Sequence, residues 1–183
     1  GYRPGDKIIF VPVTGSADWV ILDLACQQVG LIVVPVHPTA HAPEIEVIFR
    51  ETEARVCITA DTALYFKFQT IITGLDNQVN IYHLQPGEKG FFKPITLTKA
   101  TDEELIKLNS IRNTITENDV LTIMYTSGSS GVPKGVVLTH HNVVSSIKSI
   151  LTLLPVEPKH RVLSFLPFSH IFERVAAYAY MAF

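Results

Sequence analysis

Four short, largely apolar segments alternate with helix-like segments in the first half of the chain. They are Lys7–Val13, Leu31–Val36, Arg55–Thr59 and Val79–Leu84. A run that is apolar at nearly every position, as in Lys7–Val13, is typical of a strand covered on both faces. The resulting β-α-β-α-β-α-β order predicts the α/β class, with a doubly wound, mostly parallel sheet, right-handed crossovers and helices on both faces.

The three segments between these strands have the residue spacing of amphipathic helices. Thr14 or Ser16 can cap the first helix, which ends at Gly30, and Asp61 or Thr62 can cap the third. The side chains predicted to face the core are Trp19, Leu22, Cys26 and Val29 in the first helix, Ile45, Ile48 and Phe49 in the second, and Leu64, Phe68, Ile71 and Ile72 in the third.

Other local signals predict the remaining elements. Pro35 indicates that the second strand frays at its end or lies near a sheet edge, because proline cannot donate to a ladder. The segment Thr101–Glu104 is a capping box that starts a helix. Farther along, Val120–Tyr125 and Val136–Leu138 are predicted strands, and Arg161–Leu166 is predicted to be the last strand.

The segment between the strands Val120–Tyr125 and Val136–Leu138 is rich in small polar residues. It contains Thr126, Ser127, Gly128, Ser129, Ser130, Gly131 and Gly135. The glycines allow a ligand to approach the main chain, the hydroxyls are donors, and Lys134 adds a positive charge. Such a loop suits a polyphosphate. The alternative is a serine-rich hairpin that binds nothing, but its position between two strands and its cation favour the phosphate interpretation.

This loop does not fit the P-loop of nucleotide triphosphatases. That motif ends in Gly-Lys-Ser/Thr and opens a helix. Here Lys134 follows Pro133 and precedes Gly135, and a strand-like run comes next. The order of residues and the predicted strand after the loop therefore both exclude a Walker motif.

The string Tyr125–His140 resembles the phosphate-binding motif of the adenylate-forming enzymes, a superfamily that includes acyl-CoA synthetases, luciferases and peptide-synthetase adenylation domains. Two serines stand where threonine is commoner, which keeps the hydroxyls. The segment Leu166–Arg174 is similar to a second motif, in the version of long-chain fatty acyl-CoA synthetases. The opening segments Gly5–Trp19 and Gly30–Thr39 also resemble that family, so the resemblance covers nearly the whole chain.

The resemblance implies a long-chain fatty acid–CoA ligase, which uses ATP and Mg²⁺ to form an acyl-adenylate and then transfers the acyl group to CoA. It implies that Thr126 also contributes to a magnesium site and that His170 borders the acyl and CoA channel. By itself, a histidine just after a predicted strand, such as His170, is more often structural than functional. Glu173–Arg174 fits a local ion pair at the start of a helix as well as it fits a functional role. The implied ATP-phosphate-binding residues are Thr126, Ser127, Gly128, Ser129, Ser130, Gly131, Lys134 and Gly135.

The resemblance further implies that residues 1–183 are part of a large N-terminal domain. The apolar end Val175–Phe183 has no helix stop signal, which predicts a longer enzyme. The adenine motif, the ribose-binding aspartate and the catalytic lysine are expected beyond Phe183, so this part alone is predicted to be inactive. The alternatives are an aryl or amino-acid adenylating enzyme and a non-catalytic nucleotide-binding module.

Composition restricts partners and location. A net charge of −2 gives no bulk attraction to nucleic acid or to an anionic membrane. No leader is visible, and the longest apolar stretch is too short to span a bilayer. Cys26 and Cys57 lie in apolar surroundings, which is typical of buried thiols in a reducing compartment. The sequence alone does not exclude a disulfide between them. We expect a cytoplasmic protein. Peripheral contact of the full-length protein at the inner face of a membrane stays an alternative, which the net charge does not support by itself.

A loop with two histidines follows the second strand. His37 and His41, with Glu44 or Glu46, could suggest a metal site. Pro38 disfavours the helix that would bring the histidines to one face. We therefore do not predict a metal at this loop.

Overall fold

The computed structural model describes residues 2–12, 17–75, 78–85, 99–128, 131–153, 157 and 159–182. Six helices and six strands are present in these residues. The strands are β1 (Lys7–Val11), β2 (Ile32–Pro35), β3 (Val56–Thr59), β4 (Asn80–His83), β5 (Val120–Ser127) and β6 (Pro133–Thr139). The helices are α1 (Ala17–Gln28), α2 (Ala42–Thr52), α3 (Thr62–Ile72), α4 (Asp102–Arg112), α5 (His140–Leu153) and α6 (Ile171–Met181).

The strands form one mixed sheet in the order β4-β3-β1-β2-β5-β6. Neighbouring strands from β4 to β5 are parallel, and only β6 runs antiparallel, against β5. The mostly parallel α/β sheet predicted from the sequence is confirmed. The antiparallel edge follows from connectivity, because the short loop between β5 and β6 permits a hairpin and not a crossover.

Helices cover both faces of the sheet, as predicted. On one face, Ile9 and Val11 of β1 pack with α2 and α3, whose core residues include Ile45, Phe49 and Phe68. On the other face, the core contains Phe10 of β1, residues of α1, and Phe168. The α1 residues of this second core are Trp19, Leu22 and Cys26. The alternation along β1 places successive side chains on opposite faces.

Cys26 and Cys57 are free, buried thiols, and they belong to the core clusters on opposite faces of the sheet. Burial together with Asp23 raises the pKa of the Cys26 thiol to about 12, although Arg174 opposes the shift. Burial also raises the pKa of Cys57. The buried-thiol prediction is confirmed, and the sheet between the two cysteines excludes a disulfide.

Several predicted helix ends are also confirmed. Asp61 caps α3, with its Oδ1 accepting from the Leu64 N–H at 2.8 Å. Thr101 accepts from the Glu104 N–H at 3.2 Å, and the Glu104 carboxylate accepts in return from the Thr101 N–H at 2.8 Å. Gly30 follows α1 with φ +69°. The predicted caps of α1 at Thr14 and Ser16 lie outside the described residues.

Two strand predictions need correction. For Pro35, only the edge alternative is wrong, since β2 lies between β1 and β5. Pro35 is the last residue of β2, where its missing donor costs least, which agrees with the alternative placed at the strand end. Arg161–Leu166 is not a strand. Leu163 is 81% exposed and Phe165 is 61% exposed, and no described strand pairs with this segment. An apolar segment forms a β-strand only where a neighbouring strand accepts its backbone hydrogen bonds.

No helix in the described ranges has both the length and the apolar character needed to cross a bilayer.

Candidate functional site

The predicted phosphate loop lies in the β5–β6 hairpin. In the antiparallel register, Thr126 lies directly opposite Lys134, and Ser127 lies opposite Pro133. Directly opposed residues project to the same face of a sheet. The hydroxyl of Thr126 and the ammonium of Lys134 are therefore presented on one face, at the end of the hairpin.

Two glycines shape the turn of this hairpin. A Cβ on Gly128 would lie 2.4 Å from the carbonyl oxygen of Val132 and 3.3 Å from Cε of Lys134. Gly131 has φ +77°, and its N–H donates to the Gly128 carbonyl at 2.9 Å. The tight approach at one position and the left-handed backbone at the other explain why glycine is needed at both. Ser129 and Ser130 lie outside the described residues.

Gly135 has a packing role next to Tyr125. A Cβ at Gly135 would lie 3.0 Å from Cγ2 of Ile123 and 3.2 Å from Cζ of Tyr125. The Tyr125 hydroxyl donates to Oε2 of Glu51 at 2.8 Å. Burial raises the pKa of this phenol, and Glu51 adds to the shift through its hydrogen bond and charge. Gly135 thus leaves room for an aromatic ring that ties β5 to α2.

Thr126, Ser127, Gly131 and Lys134 are exposed. Within the described ranges, the Lys134 ammonium makes no hydrogen bond or ion pair. An exposed, unpaired ammonium beside hydroxyls is available to bind an anion.

A cavity of about 600 Å³ opens at the carboxyl ends of β2 and β5. Its walls come from the loop after β2, the first half of α2, the end of β5 and the start of α6. After β2 the chain continues to β3, towards one edge of the sheet, and after β5 it continues to β6, towards the other edge. Ligands of open α/β sheets bind in crevices of this kind.

Three of the sequence-predicted site residues line this cavity, namely Thr126, Ser127 and His170. The other described ones, Gly128, Gly131, Lys134 and Gly135, continue the hairpin outside the cavity wall. The structure therefore brings the first motif and the histidine of the second motif to one crevice.

His170 faces a second histidine across the cavity. The ring centroids of His37 and His170 are 6.0 Å apart, with an angle of 65° between the rings. Burial lowers the pKa of His37, and the charges of His170 and Lys67 lower it further. The sequence interpretation considered His37 only as a metal ligand, yet the described residues hold no group of three or more His, Cys, Asp or Glu that could bind a metal.

The loop that carries His37 is held by Lys67 of α3. The Lys67 ammonium donates to the carbonyl oxygens of Pro38 and Ala40, both at 2.8 Å. The N–H of His41 donates to Oε2 of Glu44 at 2.9 Å. These bonds fix one wall of the cavity before any ligand enters.

The second motif is anchored to α1 by a buried ion pair. Arg174 donates from Nε to Oδ2 of Asp23 at 2.7 Å and from Nη2 to Oδ1 at 2.5 Å. Tyr178 also bonds to Asp23, and Glu173 accepts from the Ser164 hydroxyl. Glu173–Arg174 is therefore not a local ion pair. The two side chains point to different partners because adjacent helical residues lie about 100° apart around the axis.

A ring contact adds to this anchor. Phe168 stacks on Trp19 with centroids 4.6 Å apart and planes 6° apart, and Cζ of Arg174 lies 5.5 Å from the Trp19 ring. Asp23 was missed from the sequence, although it occupies the same stripe as Trp19, Leu22 and Cys26. A carboxylate on a buried stripe is a signal that a charged partner exists elsewhere in the chain.

Comparison with known proteins decides the family. The family model for AMP-binding enzymes matches residues 1–183. The chain belongs to the AMP-binding enzyme family. Its sheet matches the N-terminal domain of adenylate-forming enzymes.

Several of its relatives are named as long-chain-fatty-acid–CoA ligases. Long-chain-fatty-acid–CoA ligase 5 of Rattus norvegicus is 30% identical over 96% of the chain and 28% of the relative. Ligase FadD15 of Mycobacterium bovis is 30% identical over 98% of the chain and 30% of the relative. The crystal structure of FadD1, a long-chain-fatty-acid–CoA ligase from Archaeoglobus fulgidus, has a TM-score of 0.70 at 22% identity, covering 99% of the chain and 34% of that structure.

These comparisons confirm the resemblance to adenylate-forming enzymes and, within them, to long-chain fatty acid–CoA ligases. The chain spans less than a third of the length of the two curated relatives. The individual site residues stay predictions, since family membership does not assign them.

Proposed function

We propose that the full-length protein is an ATP-dependent long-chain fatty acid–CoA ligase, and that residues 1–183 are part of its large N-terminal domain. The observation that carries this proposal is the pairing of Thr126 with Lys134 beside a cavity that also contains His170. A hydroxyl, a cation and a roomy crevice next to one another suit a reaction between a nucleoside triphosphate and a second substrate.

In the first half-reaction, a fatty acid carboxylate attacks the α-phosphate of ATP, and pyrophosphate leaves. The hairpin would bind the β- and γ-phosphates, with Lys134 offsetting their charge. The residues proposed for this role are Thr126, Ser127, Gly128, Ser129, Ser130, Gly131, Lys134 and Gly135. Gly128 and Gly131 support it by shaping a turn that a side chain would obstruct.

Among its described residues, the hairpin offers few oxygen ligands for Mg²⁺. Mg²⁺ binds hard oxygen ligands and usually keeps several waters and substrate phosphates. The described part of the hairpin offers the exposed hydroxyl of Thr126, so phosphates and waters would supply most of the oxygen ligands. When bound, the ion would neutralise phosphate charge, and the chain's own part is to hold the phosphates with Lys134 and the loop.

In the second half-reaction, the thiol of CoA attacks the acyl-adenylate, which yields the thioester and AMP. We assign His170 to the border of the acyl and CoA channel. It lies at the start of α6 and lines the cavity beside apolar Val36, Ile48 and Met124. The anchors at Phe168 and Arg174 hold it there.

The long-chain substrate is supported by the names of the relatives. We further propose that the protein works in the cytoplasm with peripheral contact at a membrane, where long-chain acids partition. The catalytic lysine and the adenine and ribose contacts are assigned to the part of the protein beyond Phe183.

The test is ATP–pyrophosphate exchange by the full-length protein across fatty, aryl and amino acids. We expect exchange that depends on a fatty acid, followed by thioester formation when CoA is added. Exchange confined to aryl or amino acids would reject the fatty-acyl substrate. Binding of ATP without any exchange would instead identify a non-catalytic nucleotide-binding module.

A further inference from the structure

His37 follows the end of β2 and lines the cavity opposite His170. Its Nδ1 atom contacts Thr39 of the same loop. The backbone N–H of Thr39 donates to Nδ1 at 3.2 Å, and Oγ1 of Thr39 lies 2.7 Å from the same nitrogen. A backbone N–H can only donate, so Nδ1 must present its lone pair.

This contact determines which nitrogen of His37 carries the proton. A neutral imidazole has one N–H, and with Nδ1 as acceptor that N–H is at Nε2. Burial, His170 and Lys67 all lower the pKa of His37, which favours the neutral ring at physiological pH. His37 is therefore an uncharged donor through Nε2.

The ring is also held in position. Lys67 fixes the carbonyls of Pro38 and Ala40 at 2.8 Å each, and the N–H of Ala40 donates to the His37 carbonyl at 3.0 Å. With Nδ1 facing Thr39, Nε2 lies on the opposite edge of the ring, away from the loop. A donor that is oriented before binding loses little entropy when it meets its acceptor.

Nε2 of His37 has no acceptor among the described residues. The nearby carboxylate of Glu44 accepts from the N–H of His41 through Oε2. Nε2 of His37 is therefore available to donate to a molecule bound in the cavity. An uncharged donor suits an oxygen that changes from an anionic carboxylate to a neutral acyl oxygen during a reaction, because its hydrogen bond persists in both states.

We propose that His37 is a further substrate-binding residue, which donates from Nε2 to a carboxylate oxygen of the acid substrate. This inference rests on the proposed function, since that function defines the acid as a substrate. The role is one of binding and orientation, and it adds His37 to His170 at the acyl end of the site.

Three substitutions at one position test the proposal in the full-length protein. The side-chain nitrogen of Gln reaches the place of Nε2, whereas that of Asn reaches only the place of Nδ1. We expect His37→Asn and His37→Ala to raise the KM for dodecanoate in pyrophosphate exchange about tenfold or more, and His37→Gln to raise it by less than about threefold. The KM for ATP should stay unchanged in all three. Equal effects of Gln and Asn, or no effect of Asn, would overturn the proposal.

A pH profile separates this role from that of a charged histidine. A neutral imidazole and the amide of Gln both donate without carrying a charge. The affinity for dodecanoate should therefore depend on pH in the same way in the wild-type protein and in His37→Gln. A wild-type affinity that falls as pH rises through the pKa of His37, which burial holds below the usual histidine value, would show an imidazolium if His37→Gln abolished this dependence, and it would contradict the proposal.

Calorimetric titration of dodecanoate keeps the two proposals distinguishable, because it requires no turnover. Suppose that the wild-type protein supports no exchange but binds dodecanoate, and that His37→Asn weakens this binding more than His37→Gln does. The proposed function then fails and the role of His37 stands. If exchange occurs and His37→Ala changes nothing, only the role of His37 fails. Wild type that binds no dodecanoate overturns that role.

A measurement without substitution covers the case in which a variant does not fold. Ring ¹⁵N chemical shifts of histidine-labelled wild type should show His37 protonated at Nε2 and not at Nδ1, and addition of dodecanoate should shift the Nε2 signal. A proton on Nδ1, or an unchanged signal at saturating dodecanoate, would refute the inference.

Discussion

Arg174 of α6 and Asp23 of α1 form a two-point ion pair in which both side chains have 0% exposure, across 151 residues of sequence. The same arginine is a residue of the second motif, four positions after His170. The position of the cavity histidine therefore depends on a helix near the start of the chain.

Removing one partner of this pair should be costly. Asp23→Ala leaves the guanidinium buried without its counter-charge, and loss of one member of a buried pair typically costs about 3–5 kcal/mol. We expect that loss in the unfolding free energy from urea titration of the full-length protein. The exposed pair of Glu157 and Lys159 is the control, and Glu157→Gln should change stability little. A small effect of Asp23→Ala would show that the buried pair contributes nothing net.

Lys134→Ala tests the phosphate loop. A hydrogen bond to a charged group contributes about 1.5–3 kcal/mol, so kcat/KM for adenylation should fall about ten- to a hundredfold. Thermal stability should change little because Lys134 is exposed. Thioester formation from preformed acyl-adenylate should suffer less, since that step involves no triphosphate. Lys148→Ala, at an exposed position of α5, is the matched control; equal loss in both half-reactions would contradict the role of Lys134.

Gly128→Ala tests the shape of the hairpin. The new Cβ would lie 2.4 Å from the Val132 carbonyl oxygen, so the turn must move. We expect a higher KM for ATP in pyrophosphate exchange. Gly74→Ala is the comparison, because its Cβ would make an ordinary contact at 3.6 Å with the carbonyl of Ile71. An unchanged KM for ATP in Gly128→Ala would show that the turn geometry does not matter for phosphate binding.

The buried thiol of Cys26 makes stability depend on alkaline pH. Its pKa is raised from 9.0 to about 12, so the native state keeps a proton that the unfolded state loses above pH 9. The contribution is fully present below pH 9 and is lost as pH rises towards 12. The unfolding free energy of wild type should therefore fall more steeply over this range than that of Cys26→Ala. Parallel curves would count against this shift, as would rapid reaction of the native thiol with a disulfide reagent at pH 8.

Local patterns in the sequence were sufficient for most elements. The apolar runs of β1 and β2 and the caps at Asp61 and Thr101 depend on residues within a few positions of one another, so the sequence alone predicts them. The strand prediction at Arg161–Leu166 was wrong because strand formation also depends on residues far away in the sequence. Its apolar character is local, but a strand also needs a partner, and no strand of the described sheet pairs with this segment.

The sequence by itself determined the mostly parallel sheet, the polar hairpin with Lys134 and the family, because each is encoded in contiguous residues. Only the tertiary structure decided which residues meet at the cavity. His37 faces His170, Tyr125 bonds to Glu51, and Arg174 pairs with Asp23, over separations of 133, 74 and 151 residues. No local rule sets such pairs. They form because the crossovers bring the carboxyl ends of β2 and β5 together and because a buried charge must find its counter-charge.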